Sequence, residues 1–245
     1  MTTVTLALAA FASGAPAGSA AQAAARAALP GPGFLTGPYA DGPTRPDEGE
    51  ETGRARAAVH WTACAALHHA TVHAMGRDRA EHGLAVGLEV ALRLLRTLEG
   101  QVVGGWDPVG AAVRVGAATA AARMDGLGTE WAARAIGIAA TQAAGLAVVA
   151  ETPLGTYQHR HAAGDGLQAA HLARSGMTAP VTGLEGRRGL YALLAPTADP
   201  ARAAENLGER WLITEQCLAA HGAPPAGGPE NQWASAVAYA REMLS

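Results

Sequence analysis

The chain reads as an all-α protein. Apolar residues recur at three- and four-residue spacing, no stretch sustains apolar–polar alternation, and alanine and glycine are heavily used. Aromatic residues are 4% and charged residues 16% of the chain, so its helices are expected to pack through small side chains rather than rings. At 245 residues the chain can bury a large core. No repeat of fixed period is visible. The expectation is one helical domain, a compact multi-helix bundle over 1–245, with residues 30–53 forming a mobile loop, a lid or a disordered segment rich in proline, glycine and acid.

In order, residues 3–29 read as one or two short alanine-rich helices, interrupted near Gly14–Pro16. Arg54 to Met75 reads as a helix with Gly76 as its C-terminal cap. On it, His60, Cys64 and His68 share one face, and His69 and His73 form a second pair. A zinc site would need a third or fourth ligand together with second-shell partners, and none is evident at metal-site spacing, so no metal is expected. Arg79 to Leu98 carries a buried stripe of Leu84, Leu88, Leu92 and Leu95, with Glu89 among them and in need of a partner. Asp107 and Pro108 open a small-residue helix as N-cap and first residue. Thr129 reads as the N-cap of a helix running to about Val149, with Trp131, Ile136 and Leu146 facing inward. Glu151–Gly155 reads as a loop, and a further helix runs from about Tyr157 or His161 to Ser175, capped by Gly176. Asp199-Pro200 opens a helix containing Trp211 and Ile213, and Trp233, Val237 and Tyr239 belong to a terminal one.

Composition excludes several functions. The net charge is −3 and no basic run appears, which gives no reason to expect nucleic acid as a partner. The chain contains no lysine, so neither a Schiff base nor a lysine general base can arise from it. Cys64 and Cys217 are far apart, as in a protein of a reducing compartment. The apolar start lacks the basic residues of an export signal, the first being Arg26, and no apolar run reaches the ~20 residues of a membrane span. The expectation is a cytoplasmic protein without membrane contact.

Four segments then stand in a recognisable order: Gly87-Leu88-Glu89-Val90; Gly105-Trp106-Asp107-Pro108-Val109 leading into an alanine helix; Gly155 to His161 followed by Ala162-Ala163 and Leu172 to Gly176; and Leu184-Glu185-Gly186 with Gly189-Leu190. In order and spacing they resemble the MmgE/PrpD family of 2-methylcitrate dehydratases, cis-aconitate decarboxylases and their relatives. His60-Trp61 is similar to that family's His-Pro helix start. The resemblance implies the family's helical domain, a pocket at its helix starts, acid–base chemistry on carboxylate substrates without metal or organic cofactor, and a homodimer. There are departures. The family's loop histidine is Asp107 here, its lysine falls near Gly155, and that lysine's partner histidine falls near Gln158. The lid-like second domain would have to be built from the chain after Pro196, which is too short for it.

The expected catalytic residues are His60, Asp107, Tyr157 and His159, converging on one cavity, with Trp106, Gln158, Arg160 and His161 binding a small-molecule substrate. An aspartate beside a histidine fixes the imidazole tautomer and raises its basicity, and a tyrosine can deliver a proton to a leaving oxygen. Arg160 can take a carboxylate bidentately. His159 and His161, two apart on a helix, cannot both point inward. The expected reaction is that of a cofactor-free lyase, by dehydration or a related proton-transfer elimination. The alternatives are an isomerase or cyclase of a specialised, polyketide-like pathway, and a non-catalytic binding protein or degenerate subunit.

Overall fold

The computed structural model describes residues 3–14, 17–27, 50–150 and 152–214, and among them there are helices and no strand. The helices are α1 (Val4–Gly14), α2 (Ser19–Ala27), α3 (Glu50–Val72), α4 (Arg77–Leu98), α5 (Pro108–Met124), α6 (Thr129–Thr141), α7 (Pro153–Arg174) and the short α8 (Leu190–Leu194). Residues 147–149 and 200–204 form single 3₁₀ turns.

α5 is the centre of the bundle. Every residue from Pro108 to Ala122 is buried, so this helix is enclosed all round and has neighbours on every side, α3, α4, α6 and α7 among them. The directions follow from the contacts. Thr62 of α3 lies against Gly116 and His69 reaches Asp125, so α3 and α5 run the same way. His159 of α7 meets Asp107 and Arg174 meets Asp125, so α7 does too. α4 runs opposite, with Gly83 facing Met124 and Gly87 facing Gly116.

Glycine allows that last approach. A β-carbon on Gly87 would stand 2.5 Å from the β-carbon of Ala120 and 2.8 Å from the Gly116 carbonyl; one on Gly116 would stand 2.9 Å from the Gly87 carbonyl. Neither side chain could fit without moving the helices apart. The leucine stripe of α4 is buried as its spacing predicts, each residue 2% exposed or less.

Glu89 finds its partner one turn on, in Arg93 at 2.6 Å. Its two oxygens also accept the backbone N–H groups of Leu212 and Ile213, each at 3.0 Å. Arg93 in turn donates to the carbonyls of Ala203, Glu205 and Arg210. The buried pair therefore straps segment 203–213 onto α4. α1 is held in a similar way: Thr5 donates through Oγ1 (2.6 Å) and its N–H (3.2 Å) to Glu185, and Phe11 packs on Trp211.

Several expected boundaries move. α3 starts at Glu50, so residues 50–53 of the expected loop are its first turn; the rest of that loop and the terminal helix with Trp233, Val237 and Tyr239 lie outside the described residues. Gly76 is not a C-terminal cap but the extended N-cap of α4, and Ala74, at φ 48°, carries the left-handed turn instead. Gly128 rather than Thr129 caps α6; the Thr129 hydroxyl meets Ser13 at 2.8 Å. α6 stops at Thr141, short of Gly145, whose φ of 124° no helix accepts, and Trp131 and Leu146 are exposed rather than inward. α7 starts earlier than expected because Pro153 can occupy a first turn, where its missing N–H costs nothing. Asp199-Pro200 opens a 3₁₀ turn that Asp199 caps, and Trp211 lies beyond it; residues 212–214, the last described ones, are helical.

Candidate functional site

The start of α5 is fastened by Asp107, which accepts from the backbone of Val109 at 3.0 Å and of Gly110 at 3.1 Å. Two side chains of α7 reach the same carboxylate: Gln158 donates to Oδ2 at 2.8 Å and His159 Nε2 lies 2.7 Å from it. Asp107 and His159 are buried, 3% and 2% exposed. Burial alone would raise the Asp107 carboxyl. The His159 hydrogen bond and charge, the Val109 amide and Gln158 outweigh it and hold the group below the usual carboxylate range. An ionised carboxylate only accepts, so His159 Nε2 carries the proton of that hydrogen bond. No partner for Nδ1 appears among the described residues, and in the neutral ring that nitrogen carries a basic lone pair.

Gln158 is committed elsewhere as well. Its Oε1 accepts from the Leu146 N–H at 2.9 Å, which ties the 142–150 loop to the start of α7. Trp106 pairs with Leu146 across an isolated antiparallel bridge and is partly exposed. Around this end of the bundle Trp106, Leu146, Val148, Leu154 and Tyr157 all expose apolar side chains. Beneath them Gly155 is buried; a β-carbon there would stand 2.5 Å from the Val149 carbonyl and 2.7 Å from that of Ala150. The position similar to the family's lysine has no room for a side chain.

The eight expected site residues divide into three groups. Asp107, Gln158 and His159 are in direct contact, with Trp106 beside them. Tyr157, Arg160 and His161 line an open groove of about 400 Å³ between α3 and α7, together with His68, Asp165 and Leu167. Tyr157 is 58% exposed, and on one helix a residue two positions from His159 points elsewhere. His161 faces solvent and lies 3.2 Å from Asp165, which also takes Arg114 at 3.0 Å. His60 lies mid-helix, not at a helix start. It is buried beside Cys64 (Nε2 to Sγ 3.8 Å) and the edge of Trp61. Thr62 lies level with Gly116, so His60 sits about 10 Å further along the helix axis than Asp107, at 1.5 Å per residue. One cavity holding all of them is thus replaced by a buried pair, a neighbouring groove and a buried histidine. Burial pushes the Cys64 thiol up, away from thiolate chemistry.

Sequence reasoning missed Asp125, whose Oδ1 takes His69 at 2.9 Å and whose Oδ2 faces Arg174 at 3.3 Å. Those partners are far apart in the chain, and no local spacing signals them. Among the described residues no set of three or more His, Cys, Asp or Glu converges as a metal site would. No single described helix is long and apolar enough to cross a membrane.

A comparison with curated proteins finds no match. The MmgE/PrpD N-terminal domain, in contrast, matches residues 55–203, a span from early α3 to the 200–204 turn that contains both members of the Asp107–His159 pair. The chain belongs to the MmgE/PrpD family, which includes 2-methylcitrate dehydratase-type enzymes and relatives of lyase character.

Proposed function

We propose that the chain is a cofactor-free lyase whose general base is His159, oriented by Asp107. The reading is carried by one observation: the 2.7 Å contact between a buried imidazole and a carboxylate held ionised. Asp107 stands where the family has a histidine, and the imidazole comes instead from α7. In the proposed step His159 Nδ1 takes the proton on the carbon next to a substrate carbonyl. The C–H electron pair becomes a double bond, the bond from the adjacent carbon to its hydroxyl breaks, and the departing hydroxide takes the proton now on His159 and leaves as water, returning the imidazole to its neutral form. Arg160, on the groove side of α7, would take a substrate carboxylate. With no side chain at Gly155 to clamp a second carboxylate, and with apolar Trp106, Leu146 and Tyr157 at the rim, the substrate is a larger and less charged acid than a tricarboxylate.

A second reading rests on the same carboxylate. Asp107 already accepts four hydrogen bonds, as a purely structural cap would, so the pair could serve a binding protein that does no chemistry. His159→Gln separates the two. The amide can still donate to Asp107 but cannot act as a base. Turnover of a panel of β-hydroxy acids and their thioesters, followed by NMR in deuterated water, is expected to fall about 10²–10⁴-fold in the folded variant. Deuterium incorporation and elimination at the wild-type rate in His159→Gln would remove the assignment.

A further inference from the structure

Five of the nine histidines, His68, His69, His73, His161 and His171, line the groove between α3 and α7 or its continuation past Leu167. The continuation is a hollow of about 250 Å³, with His73, His171 and Arg174 at its mouth and His69 and Asp125 at its base. Asp125 is a fixed foundation. Its side chain is 3% exposed, one oxygen holds His69 and the other faces Arg174. Burial works against its ionisation, but the His69 hydrogen bond and charge and the Arg174 charge outweigh that and keep it below the usual carboxylate range. His69 and His73 stack with centroids 4.5 Å apart.

The charges around this hollow do not cancel once the histidines are protonated. His69 and His73 come from α3, and His171 and Arg174 from α7. Asp125, at the end of α5, is the one carboxylate among the lining residues, and Arg79 of α4 approaches the neighbouring Gly126 turn. Burial lowers the affinity of His73 for a proton; His69, Arg174 and His171 lower it further, with Asp125 opposing them. A metal ion does not suit this arrangement, because His69 Nε2 is committed to Asp125. A compact anion does: the imidazoles of His73 and His171 and the guanidinium of Arg174 offer N–H donors from two helices, and a dianion would supply the missing negative charge.

We propose that the hollow bounded by His73, His171 and Arg174 is a binding site for a phosphate-type dianion, taken up together with protons on its histidines. It is separate from the Asp107–His159 pair and independent of that pair's chemistry. By linkage, affinity falls as pH rises through the histidine range, by up to about tenfold per pH unit for each proton taken up.

The test is calorimetric titration of the full chain with inorganic sulfate, a tetrahedral dianion at both pH values, at about pH 6 and about pH 8. Saturable binding at the lower pH, weakened at least about tenfold at the higher, is the expected result. His171→Ala and Arg174→Ala should each cut the affinity at the lower pH, and His159→Gln should leave it unchanged. Both mouth residues are exposed, and the His171 side chain has no partner among the described residues, so its removal keeps the fold even if loss of Arg174 disturbs Asp125. Absence of saturable binding at the lower pH, or affinity that His171→Ala and Arg174→Ala both leave intact, would overturn the proposal.

Discussion

Two buried charge pairs in this molecule look alike and differ in what they leave unspent. Glu89–Arg93 joins two helix neighbours, and both side chains are further engaged by the backbone of segment 203–213. Asp107–His159 joins α5 to α7, and its carboxylate is equally engaged, but the imidazole keeps Nδ1 without a partner among the described residues. A charge pair whose polar groups are turned to the fold's own backbone is an anchor. One that retains a titratable nitrogen can both hold the fold and exchange a proton. Burial alone does not distinguish them; the inventory of unspent donors and acceptors does.

The largest expected effect is on the anchor. Glu89→Ala leaves Arg93 as a buried, uncompensated cation and should cost about 3–5 kcal/mol in urea unfolding. A loss below about 1 kcal/mol would break the comparison, because the strap would then not need its charge. Next comes Asp107→Ala, which removes the cap of α5 and the acceptor of both α7 side chains; about 2 kcal/mol is expected by the same measurement.

The pH dependence sharpens this further. The Asp107 carboxyl is held below its ordinary value, so its contribution is fully present above the unfolded value of about 3.9 and is lost as pH falls through the folded one. Thermal unfolding of Asp107→Ala followed down through that acid range should decline less steeply than the wild type. An identical decline would show that the stabilising hydrogen bonds belong to some other carboxylate, with Asp125, shifted the same way, the first to examine.

Smaller still is Gly87→Ala. Its new methyl would meet Ala120 and the Gly116 carbonyl, and about 1–3 kcal/mol of overpacking should lower the melting temperature. At the bottom of the scale, Tyr157→Phe, whose ring is mostly exposed, should stay within about 0.5 kcal/mol of wild type in the same unfolding experiment.

How much of this was legible in the sequence differs from element to element. The leucine stripe of α4 declared itself through its spacing, and so did Asp107 before Pro108, because caps and amphipathic faces are local patterns. Helical spacing also required that only one of His159 and His161 point inward; burial chose His159. The partner of Glu89 was within reach, since Arg93 lies one turn away, but the backbone strap it supports was not. His69–Asp125 and Asp107–His159 join residues separated by 56 and 52 positions, and only the parallel packing of α3, α5 and α7 brings them together. The misplaced boundaries arose where backbone conformation overrode composition, at Ala74 and Gly145.

The shared carboxylate at the head of α5 has a mechanical meaning. Asp107 holds the first turn of its own helix, and it grips α7 directly through His159. Through Gln158 it also reaches the loop at Leu146. Neutralising that one group would slacken a helix end, an interhelical clasp and a surface loop in a single event. Whatever changes the charge of Asp107 therefore acts on the whole mouth of the bundle at once.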